Sequence, residues 1–318
     1  YIYTGELESE GTYIDGQLEG EYRSYQTDEN DNLFLWQISN YENGLEQGKV
    51  TNFYPGGQIE SEFYMRDGEI EGKCISYFEN GNIKEIEEYA KSRLYGLKTT
   101  YYENGETKEA TYYFDNYIHG SKTEYLDNGS KFKESYYKDG VLTKAYHYKK
   151  GKIESVENYA FGKRVERKTY DENFSLVIHS IYKDDIEHFK GYYPNGNLKI
   201  KVQFKDNLFF GENKYYYENG NIREIVNYRI QETKDNKLAL RDGEYRQYYD
   251  NGNIKELGTY KDDKKEGLWL NYSRNQRNEI IKESTYKSGE LVKSIELKKE
   301  VSKERTPRSR ARSKGNER

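Results

Sequence analysis

Three observations in the sequence predict an all-β fold, an elongated single-layer antiparallel meander of about a dozen β-hairpin repeats. The first is a turn that keeps returning at a spacing of about 24 residues: Glu79-Asn80-Gly81-Asn82, Glu103-Asn104-Gly105, Asp127-Asn128-Gly129, Pro194-Asn195-Gly196-Asn197, Glu218-Asn219-Gly220-Asn221 and Asp250-Asn251-Gly252-Asn253. The second is a set of aromatic and branched columns in step with that turn. The third is a second turn signal in each unit, which leaves no run of about 10–12 residues where a helical period could form.

Each strand is justified by its column. Four positions before the turn glycine stand Tyr77, Tyr101, Tyr125, Tyr192, Tyr216 and Tyr248, an aromatic ladder. Two positions after it stand Ile83, Leu198, Ile222 and Ile254, and eight after it come Tyr89, Tyr113, Tyr137, Phe204, Tyr228 and Tyr260. Aromatic and β-branched runs on either side of Asn-Gly read as hairpins. Gly81, Gly105, Gly129, Gly196, Gly220 and Gly252 are the structural turn residues. Pro194 selects a three-residue loop: it lacks the N–H that the last ladder residue of a two-residue turn must donate, and its fixed φ suits the first loop position. The glycine then takes the left-handed position of a bulge. This register places Tyr77 across from Ile83 and Tyr216 across from Ile222, and simple alternation puts Tyr89 and Tyr228 on that same face.

The second turn of each unit is Asp15-Gly16, Asn43-Gly44, Asp67-Gly68, Asp139-Gly140, Asp206-Asn207, Asp262-Asp263 or Ser288-Gly289, all suited to positive φ. At about 4.8 Å per strand, the array is expected to extend on the order of 100–120 Å. The repeats occupy residues 1–297, with a longer polar turn near 26–32 and an insertion near 229–241 that contains no aromatic residue. The units around Gly151, Phe174 and Asp184-Asp185 are degenerate, so the middle is expected to be the weakest stretch. Residues 298–318 form a basic tail, read as disordered.

Composition excludes several function classes. There are 36 tyrosines, whose rings pack while their hydroxyls stay wet, and these offset an otherwise apolar-poor chain of mean hydropathy -1.18. With 51 basic and 56 acidic residues, the net charge of -5 argues for neither nucleic acid nor anionic membrane as a partner of the whole chain. The tail offers only a weak charge contact to nucleic acid or acidic lipid. Cys74 is the single cysteine, and His119, His147, His179 and His188 are not paired at ligand spacing, so no metal or other cofactor is expected. No stretch reaches the roughly 18 apolar residues of a membrane span. Catalytic motifs are not recognised, and a non-enzyme is expected. Tyr1 already lies in a strand-like run, so the chain is expected to have lost its start, and cytoplasmic and exported locations both stay open.

Gly72, followed by Tyr77-Phe78-Glu79-Asn80-Gly81-Asn82-Ile83-Lys84-Glu85 and then Tyr89, resembles the MORN-variant repeat of bacterial proteins described as YwqK-type antitoxins. Gly267-Leu268-Trp269 is similar to the Gly-x-Trp element of the standard MORN repeat, although most units here carry Tyr instead of Trp. The resemblance implies a hairpin sheet acting as a binding or scaffolding surface, in one form an antitoxin or immunity partner of a toxin. The expected function is thus a non-catalytic protein-interaction scaffold. A membrane-surface or cell-envelope structural protein is the alternative. Tyr102, Tyr193, Tyr217 and Tyr249 sit one place beyond the ladder, on the other face by alternation, and are the candidate partner contacts.

Overall fold

The computed structural model describes residues 7–276 and 278–297, so the tail at 298–318 lies outside the described residues. The fold is an antiparallel meander of 28 strands, with no helix among the described residues. The chain divides into two compact units, residues 1–198 and 199–318.

In both units the Asn-Gly turn is the three-residue loop that Pro194 requires. The amide of Phe78 donates to Asn82 O and that of Gly81 to Phe78 O, and the same pair of bonds recurs at Tyr102, Leu126, Tyr193, Tyr217 and Tyr249. The six loop glycines lie at φ between +77° and +89°. Tyr77 pairs with Ile83, Tyr216 with Ile222 and Tyr248 with Ile254, as the loop geometry demands. A bulge follows each time: Tyr77 faces Ile83 while its neighbour Ser76 faces Glu85, so one residue, Lys84, is extra. That extra residue resets the alternation. Tyr89 pairs with Gly72 and Tyr228 with Gly211, which places these rings on the face opposite Tyr77 and Tyr216, contrary to the expectation from simple alternation.

The second turns are more regular than their sequences suggest. Both central residues have left-handed φ at Asp139-Gly140, at Asp184-Asp185 and even at Lys91-Ser92, the geometry of a two-residue type I′ hairpin. Each unit therefore has a loop edge and a turn edge.

The irregular stretches also resolve into hairpins. Near 26–32 the strands Gln17–Thr27 and Leu33–Glu42 run longer, with Thr27 paired to Leu33, and the turn between them keeps the usual loop geometry with Asp31 in the glycine's place. The insertion at 229–241 lengthens a hairpin. The strands Ile222–Glu232 and Lys237–Tyr248 simply continue outward through Arg229–Leu240 and Gln231–Leu238 pairs to a tight turn. Lack of rings hid this from an aromatic-column reading, but Ile230, Leu238 and Leu240 supply enough strand character. In the degenerate middle, Lys150-Gly151 is a type I′ turn standing where a three-residue loop would fall, and pairing continues unbroken on both sides.

Register defines two faces. In the first unit Lys98, Thr111, Lys122, Ser135, Ala145, Glu157, Arg167 and Ser180 pair in succession across the strands on what we term the packed face. Thr123 excepted, every buried side chain of this unit lies on that face, among them Ser39, Val50, Thr111, Ser135 and Ala145. Large side chains pair with the left-handed glycines of this row, Tyr113 with Gly96, Tyr137 with Gly120 and Met65 with Gly48, and help to cover the small residues. In the second unit the same row is more apolar: Val226, Tyr245 and Gly258 pair in turn beside the buried Asn213, and Trp269 packs with Val226 and Tyr245. Gly258 is required there by space, since a Cβ would overlap the Trp269 ring.

Candidate interaction surface

On the packed face of the first unit, charged side chains pair with one another. Lys98 Nζ bridges Glu85 at 2.9 Å and Glu87 at 2.7 Å, and Lys122 meets Glu109 at 2.8 Å. Cys74 sits in the same row, where burial first and then the Glu87 and Glu85 carboxylates push its thiol up to about 11. It is therefore a protonated, weakly nucleophilic group near neutral pH. Glu157 is the most enclosed acid. Burial pushes its carboxyl up, but hydrogen bonds from Tyr159, Arg164 and His147 outweigh this and hold it at about 2. Those contacts are 2.7 Å from Tyr159 Oη, 2.8 Å from Arg164 and 3.2 Å from His147 Nε2. The arrangement is an internal ion network, and no group of three or more His, Cys, Asp or Glu side chains among the described residues is placed to hold a metal.

The loop edge is also occupied internally. Tyr102 Oη donates to Tyr125 O at 2.8 Å, Tyr217 to Tyr248 O at 2.8 Å and Tyr249 to Tyr272 O at 3.1 Å. Tyr54, at the same loop position, donates to Tyr77 O at 2.7 Å. The expected partner contacts Tyr102, Tyr217 and Tyr249 are thus half-buried ties between successive loops, and Tyr193 is half-buried at the equivalent place. Asparagines add a second tie. Asn104 Nδ2 donates to Asp127 O, Asn219 to Asp250 O and Asn251 to Arg274 O, while their Oδ1 atoms accept the amide two residues on. The ladder tyrosines Tyr77, Tyr101, Tyr125, Tyr192, Tyr216 and Tyr248 are all half-buried, each at the strand end before its loop.

The open face is different. On the strands Gly96–Tyr101, Thr107–Phe114, Tyr117–Tyr125 and Lys131–Lys138 it carries Leu97, Tyr112, Phe114, Tyr117 and Tyr136, all exposed. Tyr117 is 65 % exposed and Phe114 56 %, well beyond the half-buried ladder. Tyr95 joins them, its ring 5.2 Å from that of Phe114. The turn and strand pairings fix these positions: Leu97 pairs with Tyr112, Phe114 with Tyr117, and Ser121 with Tyr136. Sequence reasoning missed this patch because it followed the columns that recur in every unit. The position seven after the glycine is aromatic only locally, at Tyr64, Tyr112 and Tyr136, and that local departure was the available signal.

One concavity lies on the loop edge of the first unit. Where the short Lys150-Gly151 turn neighbours the longer Glu172-Asn173-Phe174 loop, a notch of about 320 Å³ opens beside Lys149, Lys152, Tyr170 and Glu172. Lys152 Nζ donates to Glu172 O at 2.8 Å and Lys150 lies 3.6 Å from the Glu172 carboxylate, so its charges are mutually paired.

Comparison with known proteins agrees with the repeat reading. The sequence profile described as MORN repeat variant matches five segments, residues 46–67, 70–91, 188–206, 211–229 and 241–262, so the chain carries MORN-variant repeats. No curated protein matches. Among solved structures, the chain is similar at 11% identity to the crystal structure of TcdB2-TccC3-Cdc42, covering 89% of this chain and 18% of that one with a TM-score of 0.18. The crystal structure of TcdB2-TccC3 matches at 12% identity over 87% of this chain and 21% of that chain, TM-score 0.16. The Photorhabdus luminescens Tc holotoxin pore carrying the TccC3-D651A mutation matches at 11% identity over 85% and 20%, TM-score 0.15. The chain thus spans about a fifth of the length of these proteins, and a likeness this slight carries no argument about its role.

Proposed function

We propose that this chain is a non-catalytic scaffold whose MORN-variant repeats hold an exposed aromatic surface rigid for capture of a protein partner. The observation that carries the reading is the contrast between its two faces: one pairs its charges internally, while the other leaves Tyr112, Phe114 and Tyr117 uncovered on paired strands. Rings fixed on a sheet offer large contact area at small loss of side-chain entropy, which is the economy of protein-binding surfaces. Antitoxin is the specific form we favour. It accords with the resemblance of the repeats to YwqK-type proteins, and it requires only a binding surface.

The test is capture of a partner from the source cell by the intact chain, repeated with Tyr112→Ala combined with Phe114→Ala. Loss of capture in the folded double variant supports the reading, and unchanged capture removes this face from it. For the antitoxin form, expression of the captured protein alone must arrest growth, and co-expression of this chain must relieve the arrest.

A further inference from the structure

The open-face row of the first unit has a mirror-like order. Across six consecutive strands the side chains at one height are Glu88, Leu97, Tyr112, Ser121, Tyr136 and Lys144, as register places them. An acid stands at one end and a lysine at the other, apolar groups lie second from each end, and a large ring beside a small residue occupies the centre. Gly120, beside the small Ser121, has no side chain, and a Cβ there would touch only Tyr112 Cβ at 3.9 Å, so the centre keeps a shallow gap next to a protruding ring.

We propose that this face is a self-association surface, on which a second copy of the chain packs face to face about a two-fold axis parallel to the strands and midway between Thr107–Phe114 and Tyr117–Tyr125. The inference rests on the reading of the open face as a contact surface and names its occupant. A two-fold contact requires a patch that complements itself. Reversal of strand order about that axis sets Glu88 against Lys144 of the second copy, Leu97 against Tyr136, and Tyr112 over the gap at Ser121 and Gly120. Toward the turn edge, Phe114 meets Tyr117. Each of these contacts occurs twice.

Size supports the assignment. At roughly 150–250 Å² per fully buried side chain, the exposed fractions of Tyr95, Leu97, Tyr112, Phe114, Tyr117 and Tyr136 leave about 450–700 Å² of this patch uncovered. That reaches the upper end of the roughly 300–600 Å² of the largest apolar patch on an ordinary monomer and approaches the about 800 Å² that each partner contributes to a stable interface. Two sheets stacked in this way stand about 10 Å apart, a separation that Tyr112 and Tyr136 side chains fill.

The decisive experiment is charge exchange, read by sedimentation of the full chain over a range of concentrations. Glu88→Lys and Lys144→Glu, made singly, each set like charges face to face and are expected to weaken the dimer by about tenfold or more. Together they restore it. The two positions lie five strand spacings, about 24 Å, apart within one chain, so rescue cannot come from an internal contact. Tyr112→Glu is expected to give a folded monomer, its fold checked by circular dichroism. A wild-type chain that stays monomeric at the highest attainable concentration overturns the inference, as does a dimer indifferent to all three single changes. Capture of the outside partner by the Glu88→Lys and Lys144→Glu variants separates the two readings: if capture persists while dimers vanish, the scaffold stands and the second copy is a distinct occupant.

Discussion

Gly258 and Glu157 show how much a single position carries in a sheet with so little apolar interior. Trp269 lies flat in the space that Gly258 leaves, with Tyr245 at 5.5 Å, Tyr260 at 5.0 Å and Lys265 Nζ 3.7 Å above its ring. Gly258→Ala must displace that ring and is expected to destabilise the second unit by about 1–3 kcal/mol in denaturant melts. Trp269 fluorescence should shift red at the same denaturant concentration as the melt. Glu157 predicts an acid limit. Its folded carboxyl titrates near 2, below the usual carboxylate value of about 4.5, so its stabilising contribution is fully present above that ordinary value and is lost as pH falls toward 2. Glu166, drawn down to about 2 chiefly by hydrogen bonding from Lys168, behaves likewise. Melts of the wild type between pH 5 and 2 should show a falling midpoint, and Glu157→Gln should flatten that slope.

At the scale of the element, the repeating hairpin owes its sequence to two kinds of tie. Backbone bonds lace the turn edge, where Ser92 N donates to Ile70 O and Asn116 N to Leu94 O. Side chains lace the loop edge through the Tyr and Asn positions. Tyr102→Phe keeps the ring and deletes only the bond to Tyr125 O, so its expected effect is about 0.5–1.5 kcal/mol, read as faster amide exchange confined to the loops at Gly105 and Gly129. The hairpin itself was legible in the sequence, because Asn-Gly, Pro194 and the Tyr77–Ile83 columns each encode backbone geometry locally. The face of Tyr89 was not, since a bulge one residue wide inverts every side chain beyond it. The role of Tyr102 was hidden for a related reason: its partner is a backbone carbonyl in the next repeat, and no residue type marks a carbonyl.

For the whole molecule, stability is expected to be spread along the array and set by neighbouring hairpins, as in other repeat chains. The loop edge should open first between Gly129 and Phe174. There Leu126 has no hydroxyl, Tyr148 donates instead to Glu134 at 2.8 Å, and Asp171 spends its carboxylate on its own loop. Hydrogen exchange should be fastest at the loop ends of Lys163–Tyr170 and Leu176–Lys183, and slow exchange there would contradict the lacing account. Binding should survive removal of the basic tail. A chain ending at Leu297 is expected to capture the same partner as the full chain, because the tail contributes charge that salt screens, whereas the open face contributes shape. Capture by the isolated tail would place the contact there instead.

The loop ties also bear on chemical ageing. Asparagine followed by glycine is prone to lose ammonia, when the glycine nitrogen attacks the asparagine side-chain carbonyl and the resulting ring hydrolyses to aspartate or its isomer. In Asn104, Asn219 and Asn251 the amide is held at both ends, by the N–H two residues on and by the carbonyl of the next loop. The glycine N–H is itself engaged, as Gly105 N is with Tyr102 O at 2.9 Å. Attack therefore requires the loop to open first. The rate of deamidation at each site, followed by peptide mass spectrometry during storage, becomes a clock for local opening, and Asn128, whose side chain holds only the Ser130 amide, should run ahead of Asn104.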